Sequence, residues 1–171
     1  MAGIKMDQAL LVEKARGGSA DIKSYWELAK SGHATPYLFV SLVGLKVFDS
    51  KKLLTLVSKG LPVQTLVRFQ KNTLFSTSDI EELVAIAPRT LHRRKEQGRL
   101  APEESDRLLR VTRLFAKALE LFEGDVHAAR TWFRTSARAL GGASPFRLAQ
   151  TDLGSREVEA LIDRLEHGVL T

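Results

Sequence analysis

From Gly60 to Gly168 the chain is punctuated by proline and glycine in an order that favours a string of helices over strands. Proline lacks an amide donor but fits the first helical position. Glycine reaches positive φ just past the last turn. Pro62, Pro88, Pro102 and Pro145 head stretches with helical apolar spacing, and Gly60, Gly98, Gly124, Gly141-Gly142 and Gly168 close them. The spacing predicts a first helix with Pro62 at N1 that buries Val63, Leu66 and Val67 and exits at Thr73–Phe75. Ser76-Thr77-Ser78 offers capping hydroxyls, with Glu81 three residues after Ser78 at capping-box spacing, ahead of a helix burying Ile80, Leu83 and Val84. A third helix, Arg89–Gln97, follows Pro88 and stops at Gly98. Two short helices, a tight connection and a basic third helix describe a helix-turn-helix.

The third helix carries the clearest charge pattern. Residues 89–99 hold Arg89, Arg93, Arg94, Lys95 and Arg99 against Glu96 alone, and Leu91 is the apolar anchor. At about 100° per residue, Arg89, His92, Arg93, Glu96 and Gln97 point outward while Arg94 and Lys95 flank the buried side. Arginine and glutamine have the geometry to read base edges, and Thr90 and Arg99 are placed to hold phosphates. Glu96 opposes DNA unless it accepts from cytosine or pairs with Arg93. A merely solvated basic face is the competing reading, and the capped helix-turn-helix spacing favours DNA.

Pro102 opens the longest helix, expected to run to about Glu123. Leu108, Val111, Phe115, Ala118, Leu119 and Phe122 form one stripe and Leu114 and Leu121 a second, so it packs on both sides as a spine. Glu103, Glu104 and Asp106 lie in its first turn, where the helix dipole favours acids. Asp125 caps the next helix, whose Trp132 and Phe133 read as core. Gly141-Gly142 ends a helix, Ser144-Pro145 starts one, and Asp152–Ser155 stops the chain and restarts it. A final helix from Ser155 carries Val158, Leu161, Ile162 and Leu165. Short helical pieces joined this way make either a cap over a core or a shaped face for gripping another protein.

Ahead of Gly60 the pattern is weaker. Residues 1–24, with Gly17-Gly18-Ser19, read as a mobile arm with a short helix at Asp7–Ala15. Tyr25–Ala29 begins order and Gly32–Pro36 breaks it. Tyr37–Phe48 suits a strand by composition and a helix slightly better by spacing (Leu38, Ser41, Leu42, Leu45). Asp49-Ser50 caps a helix over Lys51–Lys59. This segment is either a homodimer surface or an extension of the core.

Charge and composition narrow the function. The net charge is +6, with nine Lys/Arg against five Asp/Glu in residues 1–61, ten against seven in 62–116 and seven against eight in 117–171. A nucleic-acid partner toward one end and a different partner at the other fit that asymmetry. There is no cysteine, hence no disulfide, thiolate metal site or cysteine nucleophile. His33, His92, His127 and His167 are scattered without metal-ligand spacing, no serine sits in a nucleophile elbow, and no glycine loop cradles phosphate. No cofactor, no metal and no catalytic residue is expected. No apolar run approaches the roughly 20 residues of a membrane span. The N-terminus lacks a signal-like segment, so a cytoplasmic protein is expected.

From about Gly60 onward the chain closely resembles the Xre/MbcA/ParS antitoxins, whose toxins carry the RES domain. The matching stretches are GLP at 60–62, RTLHRRKEQGRL at 89–100, ESDRLLR at 104–110, ALELF at 118–122, LGGASPFRLAQTDLG at 140–154, and the Val158, Leu161, Leu165, Gly168 spacing. The resemblance implies an all-α protein: an N-terminal helical extension over 1–61, an Xre-like helix-turn-helix over 62–113 and a small helical toxin-binding domain over 114–171. It implies operator DNA and a RES-domain, NAD⁺-consuming toxin as partners and repression of its own operon; the homodimer is expected from the apolar segment ahead of Gly60. Related antitoxins cover the entrance to the toxin's NAD⁺ site with their C-terminal region. Carried over, this gives Leu140, Gly141, Gly142, Pro145, Thr151, Gly154, Val158, Leu165, Gly168, Val169 and Leu170 as the toxin-facing region. The DNA-facing set is Arg89, Thr90, His92, Arg93, Arg94, Gln97 and Arg99. The family often has proline four residues after the tryptophan, where this chain has Ser136. The alternative is a stand-alone helix-turn-helix regulator whose C-terminal unit serves dimerisation or sensing.

Overall fold

A computed structural model describes residues 18–31 and 36–168. The helices are α1 (Gly18–Lys30), α2 (Ser50–Ser58), α3 (Val63–Thr73), α4 (Thr77–Val84), α5 (Pro88–Gln97), α6 (Pro102–Leu121), α7 (Val126–Arg134), α8 (Pro145–Leu148) and α9 (Asp152–Glu166). Two 3₁₀ turns, Leu38–Val43 and Arg138–Leu140, complete the order; the described residues form no strand, and Pro62 and Arg99 form an isolated bridge. The protein is all-α, as the punctuation predicts.

Helix α6 is the spine. Leu108, Val111, Leu114, Phe115, Ala118 and Leu119 are buried, and the helix touches α2, α3, α4, α7, α9 and the first 3₁₀ turn. Five phenylalanines join everything around it. Phe69 and Phe75 come from α3 and its exit, Phe115 from α6, Phe133 from α7 and Phe146 from α8. Neighbouring rings in this set lie 5.7–6.4 Å apart between centroids, mostly tilted or edge-on, the arrangement that ring quadrupoles favour. The first and second halves of the chain therefore share one core.

The two turns on either side of the helix-turn-helix close on each other. Leu100 N–H donates to Leu61 O at 2.9 Å, Val63 N–H to Gly98 O at 3.0 Å, and Leu61 N–H to the Ser105 hydroxyl at 2.8 Å. Gly60 sits in this clasp at φ +78°, and a Cβ there would stand 2.0 Å from Leu100 O, so only glycine fits.

Several local expectations change. Gly18 opens α1 instead of lying in an arm, while the short helix expected at Asp7–Ala15 falls outside the described residues, as do residues 32–35 of the expected break. Tyr37–Phe48 is neither a full helix nor a regular strand: it is a 3₁₀ turn, ended by Gly44 at φ +75°, followed by chain without regular structure. Leu38, Val40, Leu42, Val43, Leu45 and Val47 are buried, and Asn72 donates from α3 to Leu42 O at 2.7 Å. The segment thus extends the core. Pro62 is the N-cap of α3, not N1, and Val67 is exposed. The capping box on α4 uses Ser76 and Asp79, ahead of Ser78 and Glu81 in the chain. Helix α7 ends at Arg134, so Gly141-Gly142 closes only a 3₁₀ turn. The last helix begins at Asp152, not at Ser155, capped by the Thr151 hydroxyl on Gly154 N–H at 3.0 Å.

Candidate DNA-binding and partner-binding surfaces

The helix-turn-helix is α4, a tight turn and α5. Ser76 and Asp79 cap α4 reciprocally, at 2.9 and 3.1 Å. Ala85 ends it in the left-handed region at φ 50°, Ile86 is buried beneath the turn, and Pro88 opens α5 at N1. Gly98 stops α5 at φ 74°. Leu91 is the only fully buried residue of α5, and most of the helix faces outward.

Of the seven residues expected to meet DNA, Arg89, His92, Arg93 and Gln97 are exposed on α5 and Thr90 is half-buried. Glu96 lies 3.5 Å from His92 Nε2, so its carboxylate sits beside the histidine and not beside Arg93. Two of the seven are held within the fold. Arg94 Nε and Nη2 donate to both oxygens of buried Glu104 at 2.8–3.2 Å, and its Nη1 donates to Gln97 Oε1 at 3.1 Å. Arg99 Nη1 donates to Gly60 O at 2.7 Å inside the clasp, its backbone fixed by the bridge to Pro62. Sequence spacing holds no hint of either partner. Glu104 reads as a helix-start acid, and it does also accept from Ala101 N–H at 2.6 Å.

The residues expected to face a protein partner split by direction. Leu140, Pro145, Gly154 and Val158 are buried and shape the unit from within. A Cβ on Gly154 would stand 2.2 Å from Leu148 O, so this glycine lets α8 and α9 touch backbone to backbone. Gly141 and Gly142 are exposed at φ 63° and 82°, Thr151 is exposed, Leu165 is half-buried, and Gly168 is exposed. Val169 and Leu170 lie outside the described residues. Spacing on its own undervalues Leu153, which is 74% exposed. On a 100° wheel it falls well off the Val158, Leu161, Ile162, Leu165 stripe, which is the available signal. A groove of about 710 Å³ between α2, α6 and the start of α9 has a floor of Leu53, Leu109 and Ala116. None of the residues expected to face a partner lines it.

Polar ties bind the C-terminal unit to the rest. Arg134 reaches Asp79 on α4 at 2.5 Å and lies over the Phe146 ring at 5.0 Å, and Gln150 donates to Glu82 at 2.7 Å. Burial opposes ionisation of Asp79, yet the Ser76 amide and the Arg134 guanidinium outweigh it and hold its pKa below the usual carboxylate range. Lys117 bridges α6 to Asp163 at 2.7 Å and Glu159 at 3.3 Å. Its burial is likewise overcome, and its pKa is raised by those two acids. Burial pushes the Tyr25 hydroxyl up strongly, reinforced by the hydrogen bond it donates to Glu120. Among the described residues no group of three His, Asp or Glu could hold a metal, and no helix is long and apolar enough to cross a membrane.

Two family models match successive parts of the chain, meeting within α6. Residues 52–113 match the antitoxin Xre-like helix-turn-helix domain, and residues 117–168 match the antitoxin Xre/MbcA/ParS C-terminal toxin-binding domain. An antitoxin Xre from Yersinia enterocolitica is 35% identical over 130 residues, 75% of this chain and 88% of the relative. One from Photorhabdus laumondii is 32% identical with the same coverage. A third, from Pseudomonas putida, is 25% identical over 67% of this chain and 70% of the relative.

Proposed function

This chain belongs to the Xre/MbcA/ParS antitoxin family, with a DNA-binding head followed by a toxin-binding domain, and from that premise we propose that it neutralises a RES-domain, NAD⁺-consuming toxin and represses its own operon. The observation that carries the reading is the presence of both modules, in order, on one shared core: an exposed basic α5 at one end and the capped α7–α9 unit at the other. The toxin-facing surface in this reading is the outward part of that unit: the Gly141-Gly142 turn, Thr151, Leu153 and the end of α9. Neutralisation in this reading is steric, the unit covering the entrance to the toxin's NAD⁺ site. Leu140, Pro145, Gly154 and Val158 hold the turns in shape from within. The DNA-facing surface is Arg89, Thr90, His92, Arg93 and Gln97, and a homodimer supplies a second α5 for a two-fold operator.

The test is a search for a RES-domain reading frame adjoining this gene, followed by co-expression with its product. Restored growth, preserved cellular NAD⁺ and a co-purifying complex that retains the promoter duplex are the expected results. Growth arrest with no complex overturns the toxin reading, and a complex that ignores the promoter at low salt overturns the repressor reading.

A further inference from the structure

We infer that Glu104 and Arg94 are positioning residues for Gln97, which they orient as a sequence-reading side chain on α5; the inference rests on the DNA-binding reading above. Glu104 is buried, and its two oxygens take Arg94 Nε, shared between them, Arg94 Nη2 and the Ala101 amide. The guanidinium is therefore locked in plane between α5 and the first turn of α6. One edge of it remains, and Nη1 there donates to Gln97 Oε1 at 3.1 Å. A guanidinium has no acceptor, so the Gln97 amide must turn its carbonyl to Arg94, and its NH₂ group faces away.

Gln97 shares a face with Arg89 and Arg93. The three stand at i, i+4 and i+8, turned by only about 40° at each step of four residues. A free glutamine loses considerable rotamer entropy on binding and can present either end of its amide. This one arrives with the choice already made, and its donor is polarised by a charged neighbour. The base it meets offers a major-groove acceptor. Cytosine, whose edge offers a donor in that place, is the base it rejects. Arg94 contributes through Gln97 and not by touching DNA itself.

The experiment compares full-length wild type, Gln97→Ala, Arg94→Lys and the double variant on an operator library randomised at single positions. Arg94→Lys keeps the charge, but an ammonium cannot span Glu104 and Gln97 as a planar fork does. Expected is a loss of about ten-fold discrimination at one position in Gln97→Ala, the order of a good base contact. Arg94→Lys loses most of the same preference at the same position with an unchanged salt slope, and the double variant is no worse than Gln97→Ala. Glu104→Gln, which retains an acceptor for Ala101, reproduces Arg94→Lys. Full discrimination in Arg94→Lys, additive losses in the double variant, or no position affected by Gln97→Ala overturns this inference while leaving DNA binding in place. Wild-type protein that retains no duplex overturns the DNA-binding reading and this inference with it.

Discussion

Arg134 Nη1 lies 2.5 Å from Asp79 Oδ1, so a side chain of the toxin-binding domain holds the acid that closes the capping box of the first helix of the helix-turn-helix. The other carboxylate oxygen takes the Ser76 amide at 2.9 Å. One acid thus caps the start of a helix locally and fastens a domain at long range.

Removing Asp79 breaks both functions. Asp79→Asn should cost about 1–2 kcal/mol at neutral pH, combining a weakened cap with a half-exposed ion pair. Because the folded pKa is depressed, the contribution is full above the unfolded carboxylate range and disappears as pH falls through the folded value. Urea titrations should therefore show the variant and wild type converging in acid. An equal gap at every pH would show that Asp79 is not ionised in the fold.

Ala85 holds φ 50° at the end of α4, in the region that costs a residue with a Cβ. Ala85→Gly should raise stability by about 0.5–1 kcal/mol, the relief of strain exceeding the added freedom of the unfolded chain. A lower melting temperature would mean that the alanine methyl contributes packing instead.

Gly60 is the opposite case. Gly60→Ala drives a methyl into Leu100 O, 2.0 Å away, at positive φ. A stability decrease of about 2 kcal/mol or more is expected, with the Leu61–Leu100 hydrogen bond exchanging early. Wild-type melting and wild-type amide protection at Leu100 would contradict the clasp.

Leu153 and Gly154 are neighbours with separable roles. Leu153→Ser should leave thermal stability within about 0.5 kcal/mol, as surface changes do, and weaken the toxin complex at least roughly ten-fold. Gly154→Ala should lower stability through its approach to Leu148 O, 2.2 Å from the new methyl. Calorimetry of each variant with toxin checks this, and undiminished binding by Leu153→Ser would move the toxin surface elsewhere.

Arg89→Ala with Arg93→Ala should flatten the salt dependence of operator binding, by about one unit of log–log slope for each phosphate that is no longer neutralised. Toxin binding should be unchanged. A gel-shift series across salt concentrations decides it, and an unaltered slope would assign DNA to another face.

Much of this is legible in local spacing. Pro88, Leu91 and Gly98 delimit α5, Asp125 caps α7, and the α6 stripes are buried nearly as the periodicity requires. What escapes is decided by partners distant in sequence. Both Ser76–Asp79 and Ser78–Glu81 have box spacing, and Asp79 is additionally held by Arg134, 55 residues away. Arg94 and Arg99 look like free cations until Glu104 and the Gly60 carbonyl are placed beside them. Gly18 opening a helix and the 3₁₀ turn at Leu38–Val43 run against residue preference, and packing on α3 and α6 accounts for the second.

The five phenylalanine rings carry a consequence for how such proteins diversify. A new toxin specificity cannot be acquired by exchanging the C-terminal third as a cassette, because Phe133 and Phe146 would leave with it and expose Phe69, Phe75 and Phe115 to mismatched neighbours. Recombination breakpoints are tolerated only where the incoming piece brings rings of matching size. Change toward a new enemy is thereby channelled into the outer skin of the C-terminal unit, one substitution at a time.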